Sequence, residues 1–354
     1  MGNTDTAISA CGNWVVLRHL VTPISYQSRE RHNLDEQLSL GALLICLFIC
    51  LGAKKAVLKK ETISHVYGVF EGGGARGSAL VGGVAAIEKQ NITFQAVAGT
   101  SAGAIVASLI AAGYSASELL NMMLDKDFKD FKDPVSHIPV LRHWIAWQQM
   151  GFYKGDEFHR WIREKISLKV TGRRNGSPTF KDLPIPLNVI ATDLYNKKEM
   201  VFNKNNFSDL PVADAVRMSM SIPYFFRPVK FGSSLVVDGG LASNFPAWIF
   251  QQNNNFDPLP ILGLRLEPDD LSSKEINGLL NLGGAAIDTT IRTHTMLQIA
   301  NIPELYIVNL PTLGVQTTDF EISADKKEQL YKAGYDRTQT FFASELMRKQ
   351  IMAT

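Results

Sequence analysis

A serine with glycine two residues to either side is the first position in this chain that could do chemistry. The segment "AGTSAGA", residues 98–104, sets Ser101 between Gly99 and Gly103. It joins an apolar, strand-like run to a run of small residues suited to a helix. A sharp strand-to-helix turn holds a serine in strained geometry with its hydroxyl exposed. Glycines are needed there because side chains would collide with the adjoining strand and helix. The helix amides behind the serine also bring positive potential to a developing oxyanion. A tight turn in which serine is merely small fits the same residues, so the pentapeptide alone leaves both readings open.

A second glycine cluster lies upstream. In "FEGGGARG", residues 70–77, Gly72, Gly74 and Gly77 satisfy G-x-G-x-x-G. A dinucleotide-binding turn is followed about 20 residues later by an acid for the ribose hydroxyl. Here that region reads "KQNITFQAVAG", with neither Asp nor Glu. The loop is better suited to an oxyanion: the amides of Gly73 and Gly74 can point at an ester carbonyl oxygen as it becomes negative. Each such donor is worth roughly 3 kcal/mol in the transition state. Arg76 either adds positive charge or braces the loop.

A nucleophilic serine needs a base, usually histidine. None of the seven histidines lies in a Gly- or Asp-rich turn after a strand, and His294 sits in a helix-like run, "TTIRTHTMLQIA". Attention moves to "SSLVVDGGLASNFP", where Asp238 directly follows a strand-like run. Gly239 and Gly240 leave its carboxylate room to approach another loop; a plain Asx turn is the alternative.

Elements that would position these groups are legible around them. "SHVYGVF", "TFQAVAGT", "PLNVIATDL", "ILGLRLEP" and "LYIVNL" read as buried strands. "GSALVGGVAAIEKQ" and "SAGAIVASLIAAGY" read as close-packed helices, and "SASELLNMML" opens with the capping-box spacing Ser115 to Glu118. The alternation predicts an α/β fold with a mainly parallel central sheet covered by helices on both faces. The glycine loop and the serine turn end successive strands, which places both at the carboxyl edge of such a sheet.

In that order, "GGGARG", "GTSAG" and "DGG" resemble the patatin-like phospholipase family. "IATDL", "AVRMSMSIPYFFRPV", "VVDGGLASNFP" and "LYKAGYDRTQTFF" resemble further family blocks, so the match covers roughly residues 66–345. Glu71 departs from plant members, which usually have Asp before the glycines. The resemblance implies a three-layer patatin-like fold and a lipid acyl hydrolase of phospholipase or lysophospholipase type. It also implies a Ser101–Asp238 dyad, an oxyanion loop of Gly72, Gly73, Gly74, Arg76 and Gly77, and neither metal nor cofactor. An ordinary aspartate, with pKa near 3.9, is a poor base for an alcohol, so such a dyad calls for a close hydrogen bond and a partly desolvated carboxylate. A neutral-lipid lipase, an acyltransferase on the same dyad, and a non-enzymatic membrane lipid-binding adaptor are the competing readings.

Other features carry less. Asp193, in "IATDL", would end a strand at the same edge, as a third acid or as a loop brace. Trp144, Trp147, Phe152 and Tyr153 crowd "HWIAWQQMGFYKG", which suits a membrane-facing lid or core packing equally well. Arg217 and Arg227 flank "MSMSIPYFF", within reach of a lipid headgroup or merely solvated.

A net charge of +2 over 354 residues argues against nucleic acid as a partner. Cys11, Cys46 and Cys50 all precede residue 60, leaving the rest without disulfide or thiolate metal chemistry. Residues 1–37 read as a polar, poorly ordered segment, and 38–60 as an apolar stretch with a lysine-rich flank. Its sixteen apolar-run residues, 38–53, fall short of the roughly 20 of a spanning helix. An anchor and a helix buried on the main domain, residues 64–345, are both open. An anchor would hold the catalytic domain on the cytoplasmic side of a membrane, with membrane phospholipids or lysophospholipids as substrate; delivery into another cell fits too.

Overall fold

The β-branched and aromatic run Ser64–Phe70 forms the first strand, β1, and Ile92–Thr100 forms β2, parallel to it. The computed structural model describes residues 64–136, 138–252, 258–267, 279–300 and 302–344, all within one unit, Glu61–Thr354. The expectations for residues 1–63 lie outside the described residues. No helix among the described residues is long and apolar enough to cross a membrane.

Between the strands, the glycine loop passes through a 3₁₀ turn, Gly74–Gly77, into helix α1, Ser78–Glu88. After β2 come α2, Ala102–Ala111, and α3, Ala116–Asp125. Helix α3 begins with the expected capping box between Ser115 and Glu118. Next are α4, Pro139–Gln149; β3, Gly151–Tyr153; and α5, Asp156–Thr171. The chain continues through β4, Leu187–Asp193; β5, Lys198–Phe202; the one-turn α6, Lys204–Phe207; and α7, Val212–Ser219. Short strands β6, Tyr224–Phe226, and β7, Val229–Phe231, precede β8, Ser234–Asp238. The remainder comprises α8, Ile249–Gln252; β9, Ile261–Glu267; α9, Leu279–Ile299; β10, Leu305–Pro311; and α10, Ala324–Ala343.

The main sheet has the order β10-β9-β1-β2-β4-β8-β7, with β5 also paired to β4. Strands β10, β9, β1, β2 and β4 are mutually parallel, whereas β5, β8 and β7 join antiparallel. Side chains alternate between faces. Val97 therefore enters the core cluster containing Leu80 and Leu109, while Ala96 and Ala98 enter a second one with Phe245 and Phe250. Both faces are covered, as the near-continuous apolar runs of β1, β2 and β4 require.

Small residues let the first layer close tightly. A Cβ on Gly82 of α1 would stand 1.9 Å from the Tyr331 carbonyl oxygen of α10, and one on Gly334 would stand 2.1 Å from that of Ala79. These helices cross backbone to backbone, which fixes the wall behind the glycine loop.

Candidate active site

The register of three strands explains how a serine and an aspartate 137 positions apart come together. Strand β2 lies along β4 as far as Thr100 opposite Ile190. Strand β8 arrives from the opposite direction and ends with Asp238 opposite Ala191. Strand β5 covers residues 189–193 of β4 along its other edge, so β2 and β8 share one edge and meet end to end. The residue after one strand and the last residue of the other must then face each other.

Gly239 makes that meeting sterically possible. A Cβ there would stand 2.2 Å from the Ile190 carbonyl oxygen and 2.9 Å from Thr100 Cγ2. The turn therefore lies directly on the strand ends. Thr192 Oγ1 donates to the Asp238 carbonyl at 2.8 Å, and Thr100 Oγ1 donates to that of Ser243 at 2.8 Å, tying the acid segment to both β4 and β2.

Ser101 has φ 53° and ψ −123°, a strained conformation for a residue with a side chain. Its amide donates to Ser219 Oγ at 2.9 Å, and Ser219 Oγ in turn donates to the Ile190 carbonyl at 2.5 Å. That relay pins the elbow to the end of β4. Close approaches behind it explain its glycines: a Cβ on Gly99 would meet the Gly103 carbonyl oxygen at 2.3 Å, and one on Gly103 that of Phe70 at 2.0 Å. Ser101 is only 3% exposed, so its hydroxyl faces the interior of the site and not open solvent.

Asp238 is also buried. Its Oδ1 accepts from the Gly240 amide at 2.8 Å, whereas Oδ2 meets no donor with full hydrogen-bond geometry. The Ser101 hydroxyl is nonetheless close enough to favour the ionised carboxylate. Burial outweighs this and the Gly240 bond, and pushes the pKa up to about 6. Catalytic hydrogen bonds commonly reach full geometry only with substrate in place.

The glycine loop stands beside this pair. A Cβ on Gly72 would lie 3.2 Å from Ser101 Cβ and 2.2 Å from Asn244 Oδ1. Among the described residues, the amides of Gly73 and Gly74 have no acceptor, whereas that of Gly72 donates to the Asn244 carbonyl at 3.1 Å. Gly72 is therefore removed from the set of expected oxyanion donors. Gly77 serves as a spacer, since a Cβ there would stand 3.2 Å from Ala102 Cβ. Arg76 braces: its Nε donates to the Gly73 carbonyl at 3.0 Å and its Nη2 to Thr317 Oγ1 at 2.8 Å. The Ala75 amide donates to the Thr317 carbonyl, closing the loop against the segment after β10.

Three supporting residues went unassigned in the sequence: Ser219, Asn244 and Thr317. Asn244 lay in the quoted "DGGLASNFP", and its Nδ2 reaches both Glu71 Oε1 and the Gly72 carbonyl at 3.3 Å. It stitches the glycine loop to the acid segment.

Glu71 completes this stitch. Its Oε2 accepts from the Leu266 amide at 2.6 Å, yet burial pushes its pKa up to about 7 against that bond and the charges of Arg76 and Arg265. A raised carboxyl pKa means that the native state binds the extra proton. Stability is then fullest below about pH 4.5 and is lost as pH rises through 7. The Glu71 share of that loss is about 3 kcal/mol. Glu71→Gln is expected to remove this share, so that unfolding free energies at pH 4 and pH 8 lie closer together than in wild type. Denaturant titration at the two pH values checks it; an unchanged gap contradicts it.

Asp193 has a different task from a third acid. It accepts from Tyr195 and Asn196 amides, Asn196 Nδ2 and Ser234 Oγ, which hold its pKa down to about 2. It braces the β4–β5 turn. Arg217 is buried and engaged with Ser221 Oγ at 2.7 Å and with the Lys154 carbonyl, unavailable to a headgroup; Arg227 pairs at the surface with Asp156. No histidine among the described residues hydrogen-bonds Ser101, and His159 pairs instead with Asp214 at 2.7 Å.

An apolar cavity of about 80 Å³ lies behind the glycine loop, lined there by Gly74 and Gly77 and by Ala102, the residue after Ser101; Ser101 and Asp238 themselves do not line it. Met122, Phe128 and Trp161 line it elsewhere.

A family model for patatin-like phospholipase matches residues 68–250, which spans the glycine loop, the serine elbow and the Asp-Gly-Gly turn. The chain belongs to the patatin-like phospholipase family. Within the family it is 37% identical over 293 residues to the uncharacterised YqhO of Bacillus subtilis, covering 78% of this chain and 98% of that one. It is 28% identical over 190 residues to a lysophospholipase, NTE1 of Debaryomyces hansenii, covering 54% of this chain and 11% of the other. Among solved structures, VipD of Legionella pneumophila aligns with a TM-score of 0.47 at 17% identity, over 79% of this chain and 67% of that one. The mixed α/β architecture, with its mostly parallel sheet flanked by helices, is the one expected from the sequence.

Proposed function

We propose that the protein hydrolyses fatty-acyl esters of phospholipids or lysophospholipids, with Ser101 as nucleophile and Asp238 as its base. The observation that carries this is the buried Asp238 carboxylate beside a strained serine, with Gly72 of the glycine loop packed against that serine and the amides of the next two glycines without an acceptor among the described residues. Ser101 Oγ attacks the ester carbonyl carbon as Asp238 takes the hydroxyl proton. The carbonyl oxygen, now negative, is held by the Gly73 and Gly74 amides and by the helix potential of α2. Collapse of the tetrahedral species breaks the bond to the alcohol, which leaves with the proton from Asp238. Water, deprotonated by the same carboxylate, then attacks the acyl-serine carbonyl; the bond to Ser101 Oγ breaks, Oγ takes the proton back from Asp238, and the fatty acid leaves.

Burial serves this chemistry by raising the basicity of the carboxylate towards the operating pH. The apolar cavity supports an acyl chain over a polar substituent on the carbonyl side, since nothing in a polar chain would be satisfied there.

The base acts in its ionised form, so kcat/KM is expected to rise with pH through about 6 and then level off. A pH–rate profile on a soluble fatty-acyl ester checks this. A rise through the ordinary aspartate range, near pH 4, would remove the buried carboxylate from the mechanism. Incubation with a mixed lipid panel assigns the substrate: free fatty acid from phospholipid or lysophospholipid is expected, and release from triacylglycerol alone would overturn the substrate class.

A further inference from the structure

Helix α9 carries one aliphatic side chain in polar company. Residues 288–295 read "DTTIRTHT", in which Ile291 stands alone among polar and charged neighbours. Asp288, Thr289, Thr290, Arg292 and Thr293 are exposed, whereas Ile291 is half-buried. At 100° per residue, Ile291, Thr295, Gln298 and Ile299 share one face. That face is seated on the segment that follows Asp238. Ser243 Oγ donates to Gln298 Oε1 at 2.9 Å, and Ile299 packs on the cluster that contains Phe245. Ile291 is the member that reaches the candidate base. A Cβ on Gly240 would stand 3.5 Å from Ile291 Cδ1 and 3.1 Å from both Asp238 Oδ1 and Asn244 Oδ1, so three side chains close round one point. Gly240 is also the residue whose amide donates to Asp238 Oδ1.

We infer that Ile291 is a positioning residue for the base: its side chain shuts the Gly240 side of the site and keeps water from the Asp238 carboxylate. The reason lies in what a water molecule needs. It settles where there is room and where roughly two to four polar partners converge. Beside Gly240 the acceptors Asp238 Oδ1 and Asn244 Oδ1 are in place, and Ile291 Cδ1 occupies the room next to them. Isoleucine supplies bulk with no hydrogen-bonding atom, while its neighbours Thr290 and Arg292 are exposed to solvent. Removing the side chain admits water to Oδ1, and a solvated carboxylate is a weaker base. No charge competes with this effect. The described charged or titratable groups on the elements packed around Asp238 are Glu71 and Arg76 of the glycine loop, Asp193 of β4, Arg217 of α7, and Asp288, Arg292 and His294 of α9. None of them sets its protonation, which follows from burial, the Ser101 hydroxyl and the Gly240 amide. The benefit of the shield to catalysis rests on the acyl-hydrolase reading; the shielding itself does not.

The test compares the full chain with its Ile291→Ala, Ile291→Thr and Ile291→Val variants. Threonine keeps the branched shape, and so keeps the test in hand if alanine impairs folding. Two quantities are followed with pH: kcat/KM on a soluble fatty-acyl ester, and the carboxyl carbon NMR signal of Asp238, identified by its loss in Asp238→Asn. In wild type both midpoints are expected near 6. Alanine and threonine are expected to bring both down to about 5, with the upper plateau of kcat/KM lowered by less than about tenfold. Valine, which retains most of the bulk, should stay with wild type. Midpoints equal to wild type in the alanine and threonine variants would overturn the inference. So would a fall in rate that is equal at every pH, since Ile291 would then be a packing residue only. If no form of the protein cleaves the ester but the Asp238 titration still moves in the variants, the hydrolase reading fails and the shield stands.

Discussion

Asp238→Asn is expected to lower kcat/KM on a soluble fatty-acyl ester by about 10⁴-fold, the scale of removing the acid from a catalytic serine constellation. The same substitution is expected to make the protein more stable at pH 8. Asparagine keeps an oxygen for the Gly240 amide, which now donates to Oδ1 at 2.8 Å, and occupies nearly the same volume. It removes a charge whose burial lifts the carboxyl pKa from 3.8 to about 6. That shift corresponds to about 3 kcal/mol of native-state destabilisation above pH 6, absent below about pH 4. Loss of activity with gain of stability is the signature of a group held in an unfavourable state for its chemistry. A merely structural aspartate would lose both. Rates on the soluble ester and denaturant titrations at pH 4 and pH 8 check the two halves separately.

The second large effect concerns the elbow itself. Gly103→Ala is expected to destabilise the fold by about 3 kcal/mol or more and to abolish activity in what remains folded. The new Cβ would lie 2.0 Å from the Phe70 carbonyl oxygen, 2.5 Å from its carbon and 2.7 Å from the Glu71 carbonyl oxygen. All three are backbone atoms at the end of a central strand, so no side chain can swing aside. Relief would require α2 to back away from β1, which parts Ser101 from the glycine loop. Gly77→Ala is the matched control. Its Cβ meets only Ala102 Cβ, at 3.2 Å, and a shift of a few tenths of an ångström accommodates it. Thermal denaturation of the two variants should separate them clearly; similar losses would contradict the geometric account.

Much of the site was legible because its parts are local. The glycine turns of residues 72–77, the elbow around Ser101 and the Asp-Gly-Gly turn each announce themselves within a few residues. The parallel strands were legible too, since β4 and the C-terminal parts of β1 and β2 are buried and read as near-continuous apolar runs. What the sequence could not show is long-range assembly. Ser219 holds the elbow from 118 positions away, and Thr317 holds Arg76 from 241 away. Neither residue type is diagnostic, because serine and threonine hydroxyls serve equally in turns and in solvent. The antiparallel arrival of β8 was hidden for the same reason: five residues carry no sign of their direction. Yet that direction sets Asp238 head-on to Ser101.

Burial was hardest to read. Asp193 and Asp238 both end strand segments at one edge, and their composition does not distinguish them. Hydrogen-bond supply does: four donor groups hold the first carboxyl near pKa 2, while the second is desolvated and keeps one oxygen for the serine. The aromatic segment of residues 143–155 likewise suited either core or surface. Its outcome is mixed, with tryptophans outward and Phe152 and Tyr153 packed, because alternate faces of one short stretch meet different surroundings.

The central claim is that the Ser101 hydroxyl is activated by the Asp238 carboxylate. Reaction with an alkyl fluorophosphonate at pH 8, followed by intact mass and peptide mapping, tests it most directly. The account predicts one adduct per chain, on Ser101, formed at least about a thousandfold more slowly in Asp238→Asn. An adduct on another residue, or Ser101 labelled at the wild-type rate without the carboxylate, would contradict it.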